Sequence, residues 1–217
     1  MIAIEQIVVE PPADGETVSP MAWFDSPGPF EIEIGCGKGG FLLSRAKANP
    51  EVRILGIEWA NKYFRSCADR MARWEQRNVR VMRTDAKHFV MHHLPPACVS
   101  ALHIYHPDPW PKKRHHKRRL FQPESVDAFV RLLLPDGRLL VQSDHSEYFS
   151  EIRRLLDGHA VLDPIDWQEA DCAAGPDFAG TNFEVKYARD GAPIHRAAYA
   201  RRAPQTNQQS VSYVLRV

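Results

Sequence analysis

Between Phe30 and Leu156 short apolar runs alternate with amphipathic segments, and this alternation narrows the possible folds more than any other feature of the chain. The runs Phe30–Ile34, Val52–Ile57, Val79–Arg83, Val99–Tyr105 and Arg138–Gln142 read as buried strands. Helical spacing of apolar residues occupies Phe41–Ala48, Ala60–Gln76, Ala86–His93, Glu124–Leu134 and Glu147–Leu156. Pro50 stops the first of these helices, and Pro123 opens the fourth, where its missing N–H costs nothing. Strand followed by helix at this spacing predicts an α/β domain over residues 30–202, with a mostly parallel, doubly wound sheet. Residues 1–29, with five prolines, read as an irregular lead-in with one short strand at Ile2–Val9, and residues 203–217 as a polar tail. Val211–Val217 is a candidate last strand or a disordered end. The total of 217 residues, 44% hydrophobic, fits one such domain.

No apolar run approaches the roughly 18 residues of a membrane helix, and the start Met-Ile-Ala-Ile-Glu-Gln has no signal core. The expectation is a cytoplasmic protein without a membrane partner. Cys36, Cys67, Cys98 and Cys172 form no Cys-x-x-Cys pair, which argues for free thiols and against a zinc ribbon or thioredoxin-type site. His88 and His92 have the spacing of a metal pair and His93 adjoins them. No third ligand is evident, so these read as exposed helix positions and no metal is expected. His103 reads as a satisfied core histidine, and Trp59, Phe64 and Trp74 as helix packing.

The net charge is +1, but Lys112-Lys113-Arg114-His115-His116-Lys117-Arg118-Arg119 concentrates six of the 28 basic residues in eight positions with no acid. A basic block on an otherwise acidic chain is a place for phosphate.

A glycine turn, Glu33-Ile34-Gly35-Cys36-Gly37-Lys38-Gly39-Gly40, joins the first strand to the first helix. Such a turn brings backbone close to a ligand. Glu58 ends the second strand 21 residues beyond Gly37, where an acid accepts ribose hydroxyls, and Asp85 ends the third. Glu33 would repel a pyrophosphate but suits a cation. Electrostatics therefore favours S-adenosylmethionine, a sulfonium and ammonium without phosphate, over a dinucleotide. The fourth strand leads into His106-Pro107-Asp108-Pro109-Trp110-Pro111, so Asp108 falls beyond the carboxyl end of a strand on a backbone restricted by prolines. Trp110 offers a flat face for a base or a packed indole.

Taken in order, Glu33–Gly39, Gly56-Ile57-Glu58, Pro107–His115 with Lys117-Arg118-Arg119, Gln142-Ser143-Asp144 and Thr181-Asn182-Phe183-Glu184 resemble the bacterial tRNA (guanine-N7-)-methyltransferase family. The resemblance covers roughly residues 31–199, and its Pro-Asp-Pro-Trp-x-Lys-x-Arg-His stretch is the specific part. It implies a Rossmann-like methyltransferase fold with an antiparallel C-terminal strand. It implies cofactor contacts from Glu33, Gly35, Gly37, Glu58, Asp85 and Asp108, with Asp108 catalytic. It implies substrate contacts from Lys112, Asp144, Thr181, Asn182, Phe183 and Glu184. It implies tRNA contacts from Arg114, His115, His116, Lys117, Arg118 and Arg119, and guanine 46 of the variable loop as target. His106 stands where an apolar or small residue is expected.

Two of these segments have a plainer reading. Asp144-x-x-Glu147 and Thr181-x-x-Glu184 both have the form of a capping box at a helix start. Two other functions also fit the motifs: methylation of an exocyclic base amine, since Asp-Pro before an aromatic resembles Asp-Pro-Pro-Tyr, and a non-catalytic RNA-binding module. The sequence does not distinguish a monomer from a homodimer.

Overall fold

A computed structural model describes residues 1–167 and 193–204. Among these residues seven strands form one sheet in the order β3-β2-β1-β4-β5-β7-β6. The first five are β1 (Phe30–Ile34), β2 (Arg53–Ile57), β3 (Val79–Met82), β4 (Val99–Tyr105) and β5 (Leu133–Ser143). These five pair in parallel. The reversal of strand order between β1 and β4 makes the switch point at which open α/β sheets bind ligands. Between the strands run α1 (Gly40–Ala48), α2 (Asn61–Arg73), α3 (Ala86–His92) and α4 (Pro123–Leu132), followed by α5 (Ser146–Asp157). All five residues of β1 are buried, as a central strand covered on both faces requires. Helices α3, α4 and α5 bury Phe89, Phe129 and Ile152 in one core, and α1 and α2 bury Leu42, Cys67 and Met71 in another.

The parallel alternation is as the sequence predicts, with strand ends moved by a residue or so. Strand β5 departs further: it begins at Leu133 and runs through Pro135-Asp136-Gly137, with Asp136 at φ +60 and a register shift against β4. The sequence places this strand at Arg138–Gln142 and carries the preceding helix to Leu134, whereas the helix ends at Leu132. The antiparallel addition is β7 (His195–Arg201), which lies between β5 and β6 (Leu162–Ile165). Neither strand was assigned to these residues in advance; Val211–Val217, the candidate last strand, lies outside the described residues.

The lead-in is corrected. Ile2–Val9 holds a 3-10 turn at Ile4–Gln6 and one isolated parallel bridge, Val8 to Val81. Ile7 is nevertheless fully buried against α1 and α2, so the segment packs into the domain.

A buried polar group links α1 to β1 and β4. Arg45 of α1 donates through Nε and Nη2 to Glu31 at 2.9 and 2.6 Å, and His103 Nε2 lies 3.1 Å from the same carboxylate. His103 Nδ1 meets the Tyr105 hydroxyl at 2.8 Å, which makes it the satisfied core histidine expected. Burial opposes ionisation of Glu31, but Arg45 and His103 outweigh it and hold the carboxyl down at about 2.

Candidate functional site

The carboxyl ends of β1, β2, β3, β4 and β5 converge on one edge. After β1 the chain turns through Gly35, Gly37 and Gly39, at φ +78, +55 and +71, a region that side chains rarely adopt. A Cβ on Gly35 would meet nothing, which leaves the inner face of the turn open to a ligand. Gly39 differs: a Cβ there would stand 2.5 Å from Cys67 Sγ, so this glycine is required by the packing of α2. Cys36, within the turn, lies 3.9 Å from Cys67 Sγ to Sγ. The contact between the thiols and their burial raise the Cys36 pKa, so it stays a thiol.

Glu33 is 4% exposed, and its Oε2 has no hydrogen-bond partner among the described residues. Burial, with the Glu58 charge nearby, pushes its pKa up to about 8. An unpaired carboxyl buried at a ligand edge stores free energy that a cation releases. Glu58 is ordered differently. Its Oε2 accepts from Gly37 N at 2.9 Å and its Oε1 from Ala60 N at 2.7 Å, which ties β2 to the glycine turn. Asp85 is exposed and caps α3, accepting from His88 N at 3.1 Å. Buried Glu33, anchored Glu58 and the open turn fit a cationic nucleoside such as S-adenosylmethionine.

Beyond β4, His106 and Trp110 both have positive φ, +51 and +43, and bracket Pro107-Asp108-Pro109. Non-glycine residues adopt this region at a cost, which surrounding contacts must offset. His106 N donates to Gln142 O at 2.7 Å. Its ring, almost fully buried, sits between Asp144 and Gln142. Arg196 Nε donates to Gln142 Oε1 at 3.0 Å, which turns the amide nitrogen toward His106 Nε2 at 3.0 Å. An amide nitrogen only donates, so Nε2 accepts, and Nδ1 carries the hydrogen given to Asp144 Oδ1 at 3.2 Å. Asp144 is thereby held at the end of β5. The cap of α5 is corrected: His145 Nδ1, not Asp144, accepts from Tyr148 N. The histidine ring stands one residue nearer the helix and takes the role that the Asp-x-x-Glu spacing suggested.

The basic octet follows as a 3-10 helix, Lys113–Arg118, with Lys112, Lys113, Arg114, Lys117 and Arg118 exposed and His115 and His116 half-buried. Trp110 is packed by its own loop: Arg118 lies 5.1 Å over the ring and His115 meets it edge-on at 5.8 Å. Arg119 is a further correction to the expected basic surface. Its side chain is 1% exposed, its Nε donates to Pro109 O at 2.7 Å, it pairs with Glu151, and it lies 4.7 Å over Tyr148. Five neighbouring cations hid one that points inward to pin the Asp108 loop onto α5. Arg119→Ala should therefore lower stability by about 1–3 kcal/mol by leaving the Pro109 carbonyl unpaired and removing the packing on Tyr148. Arg118→Ala should stay within about 0.5 kcal/mol of the parent. Denaturant unfolding of both variants checks this, and equal losses would return Arg119 to the surface set.

Thr181, Asn182, Phe183 and Glu184, with their capping box, and Cys172 lie outside the described residues. The sequence reading missed Trp59 and the role of His106. Trp59 follows Glu58 and is 68% exposed at the ligand edge, where helix packing was expected; Trp74 is also exposed, at 53%. The only signal for Trp59 was its place directly after the strand-two acid. The signal for His106 was its departure from the expected residue type.

A family profile described as "Putative methyltransferase" matches residues 27–197. A tRNA (guanine-N(7)-)-methyltransferase of Myxococcus xanthus is 30% identical over 204 residues, 90% of this chain and 92% of that protein. The protein of that name from Halorhodospira halophila is 34% identical over 81% of this chain and 76% of its own length. The one from Mycobacterium avium is 34% identical, and this chain spans 61% of it. Among solved structures, an rRNA methylase of Streptococcus thermophilus aligns with a TM-score of 0.54 at 12% identity, over 81% of this chain and 88% of that one. Haemonchus contortus phosphoethanolamine N-methyltransferase 2, in complex with S-adenosyl-L-methionine, aligns at 0.51 and 13% identity, over 84% and 50%. At such identities the structures speak to the fold.

Proposed function

Because the chain belongs to the tRNA (guanine-N7-)-methyltransferase family, we propose that it moves the methyl group of S-adenosyl-L-methionine to N7 of a guanine in tRNA, at guanine 46 of the variable loop. The observation that carries this reading is a juxtaposition at one sheet edge. A buried unpaired carboxyl, Glu33, and the anchored Glu58 flank an open glycine turn. One strand away, a constrained Asp108 leads directly into an exposed cationic 3-10 helix.

The donor supplies an electrophilic methyl on a sulfonium. Guanine N7 has a lone pair and no proton, so no general base is needed. The N7–carbon bond forms as the carbon–sulfur bond breaks, and the electron pair leaves with sulfur. The protein's task is then alignment. Glu33 holds a cationic group of the donor, Glu58 accepts ribose hydroxyls, and Gly35 and Gly37 allow close approach. Asp85, exposed beyond β3, faces the base end of the nucleoside. Asp108 accepts from the guanine N–H edge and supports the positive charge that methylation creates. Lys112 and Asp144, the latter fixed by His106, hold the nucleotide, with Thr181, Asn182, Phe183 and Glu184 completing the contacts. Arg114, Lys117 and Arg118 neutralise tRNA phosphates, with His115 and His116 beside them as hydrogen-bonding contacts.

The test is transfer of labelled methyl to unmodified tRNA transcripts followed by nucleoside analysis. The expected product is N7-methylguanine that disappears when the variable-loop guanine is replaced. N6-methyladenine would establish the exocyclic-amine alternative, and N7-methylguanine elsewhere would move the target.

A further inference from the structure

Helix α3 carries His88 in its first turn and His93 just past its end, and the fold brings Asp14 of the lead-in against both. We propose that Asp14, His88 and His93 form a binding site for a zinc-class divalent cation, which staples the lead-in to the domain.

The three side chains each offer one ligand atom, all within 4.8 Å of one another. His88 Nε2 is 3.6 Å from Asp14 Oδ1. Around a tetrahedral zinc with bonds of about 2.0–2.2 Å, ligand atoms stand roughly 3.4 Å apart. One pair is thus near its final spacing, and His93 requires a small closure. Asp14 and His88 supply that movement, because their side chains are 99% and 51% exposed.

His93 is prepared as a ligand. It is 3% exposed, stacks on Phe89 at 5.9 Å, and places Nδ1 2.8 Å from the Glu16 carbonyl. A carbonyl oxygen only accepts, so Nδ1 carries the hydrogen and Nε2 keeps the lone pair that a metal needs. A metal-binding histidine nearly always has its other nitrogen bound in this way. The Asp14 backbone is also fixed. Ala13 N donates to Glu16 Oε2 at 3.1 Å and Glu16 N to Ala13 O at 3.0 Å, closing a turn that Gly15 completes at φ +83. Val18 N donates to His93 O at 2.9 Å, so the turn is docked on the helix end from both sides.

The donor set selects the ion. Two imidazoles and one carboxylate suit zinc and its first-row neighbours, whereas magnesium and calcium take oxygen ligands. The fourth position is left to water. The sequence reading saw His88 and His92 at helical spacing and expected no metal for want of a third ligand. The structure pairs His88 with buried His93 instead and brings Asp14 from 74 residues away.

The experiment uses untagged, metal-stripped full-length protein titrated with zinc chloride, read by calorimetry and thermal unfolding. The expected result is micromolar binding and a rise in Tm of a few degrees at a hundredfold excess over Kd. Asp14→Ala and His88→Ala, both at exposed positions, should each remove one equivalent of zinc and abolish the Tm rise. Methyl transfer by the parent should be the same with and without zinc. Absence of binding overturns the proposal. So does unchanged stoichiometry in both variants, which would mean that the metal sits elsewhere, for example on His115 and His116.

Discussion

Replacing Asp108 with alanine should lower single-turnover methyl transfer by at least about 100- to 1000-fold, the usual loss when one preorganised electrostatic partner of the transition state is removed. Asp108 is exposed and its backbone is constrained from both sides, so folding should be unaffected. The tRNA dissociation constant should stay within about threefold, because affinity rests on phosphate contacts from the neighbouring cations. Filter binding and quenched-flow transfer on one preparation separate the terms. A raised KM with unchanged rate at saturation would falsify the assigned role and make Asp108 a tether. Asp108→Asn sharpens the result: a polar acceptor remains while the charge is lost, so a large residual defect measures the electrostatic part.

Glu33→Gln should have opposite effects on stability and on donor binding. In the unfolded chain this carboxyl titrates near 4.5; in the fold, burial and Glu58 raise it to about 8. Between those values the unfolded chain has released a proton that the native protein retains. The contribution of Glu33 to stability is therefore full below pH 4.5 and is lost as pH rises through 8. The isosteric amide carries no such penalty. The variant without donor should be more stable than the parent by about 2–5 kcal/mol at pH 8 and above, and equal to it near pH 4.5. For a chain of this length that is a Tm gain of about 5–10 °C. Donor binding should show the reverse. A cation prefers ionised Glu33, so the parent releases a proton on binding below pH 8, and its Kd should fall about tenfold per pH unit until the curve flattens. The glutamine variant should bind weakly and without this slope. Calorimetry in two buffers of different ionisation enthalpy reads the proton directly, and a pH-independent parent Kd sinks the assignment.

The placement of the candidate residues on one edge was legible because its signals are local. Glu33, Gly35, Gly37 and Glu58 belong to one strand–turn–helix–strand unit, whose geometry fixes their separation once the strands are recognised. The structure adds the direct bond from Gly37 N to Glu58 that closes the unit. Asp108 was legible for a related reason, since prolines and the end of β4 restrict where it points. The ends of the sheet were harder. Strand β7 has Ala197, Ala198 and Tyr199 buried next to one another, and its pairing partners β5 and β6 lie far off in the chain.

By itself, then, the sequence determined the alternation of strands and helices, the ligand edge of the sheet and the acids along it. The alternation follows from contacts made within some thirty residues, and the edge from the common direction of the strands in a parallel sheet. Tertiary structure decided the fate of side chains that are chemically alike in sequence. Arg118 and Arg119 differ by one position; one faces solvent over Trp110, while the other is buried beneath the Asp108 loop. Asp144 and His145 both fit a helix cap, and the choice fell to His145 because His106, 38 residues earlier, takes the aspartate. His93 acquired its fixed tautomer and its neighbour Asp14 only when the lead-in folded across α3. Burial and partner identity belong to the packed molecule, since a side chain's environment is set by residues that the local chain does not contain.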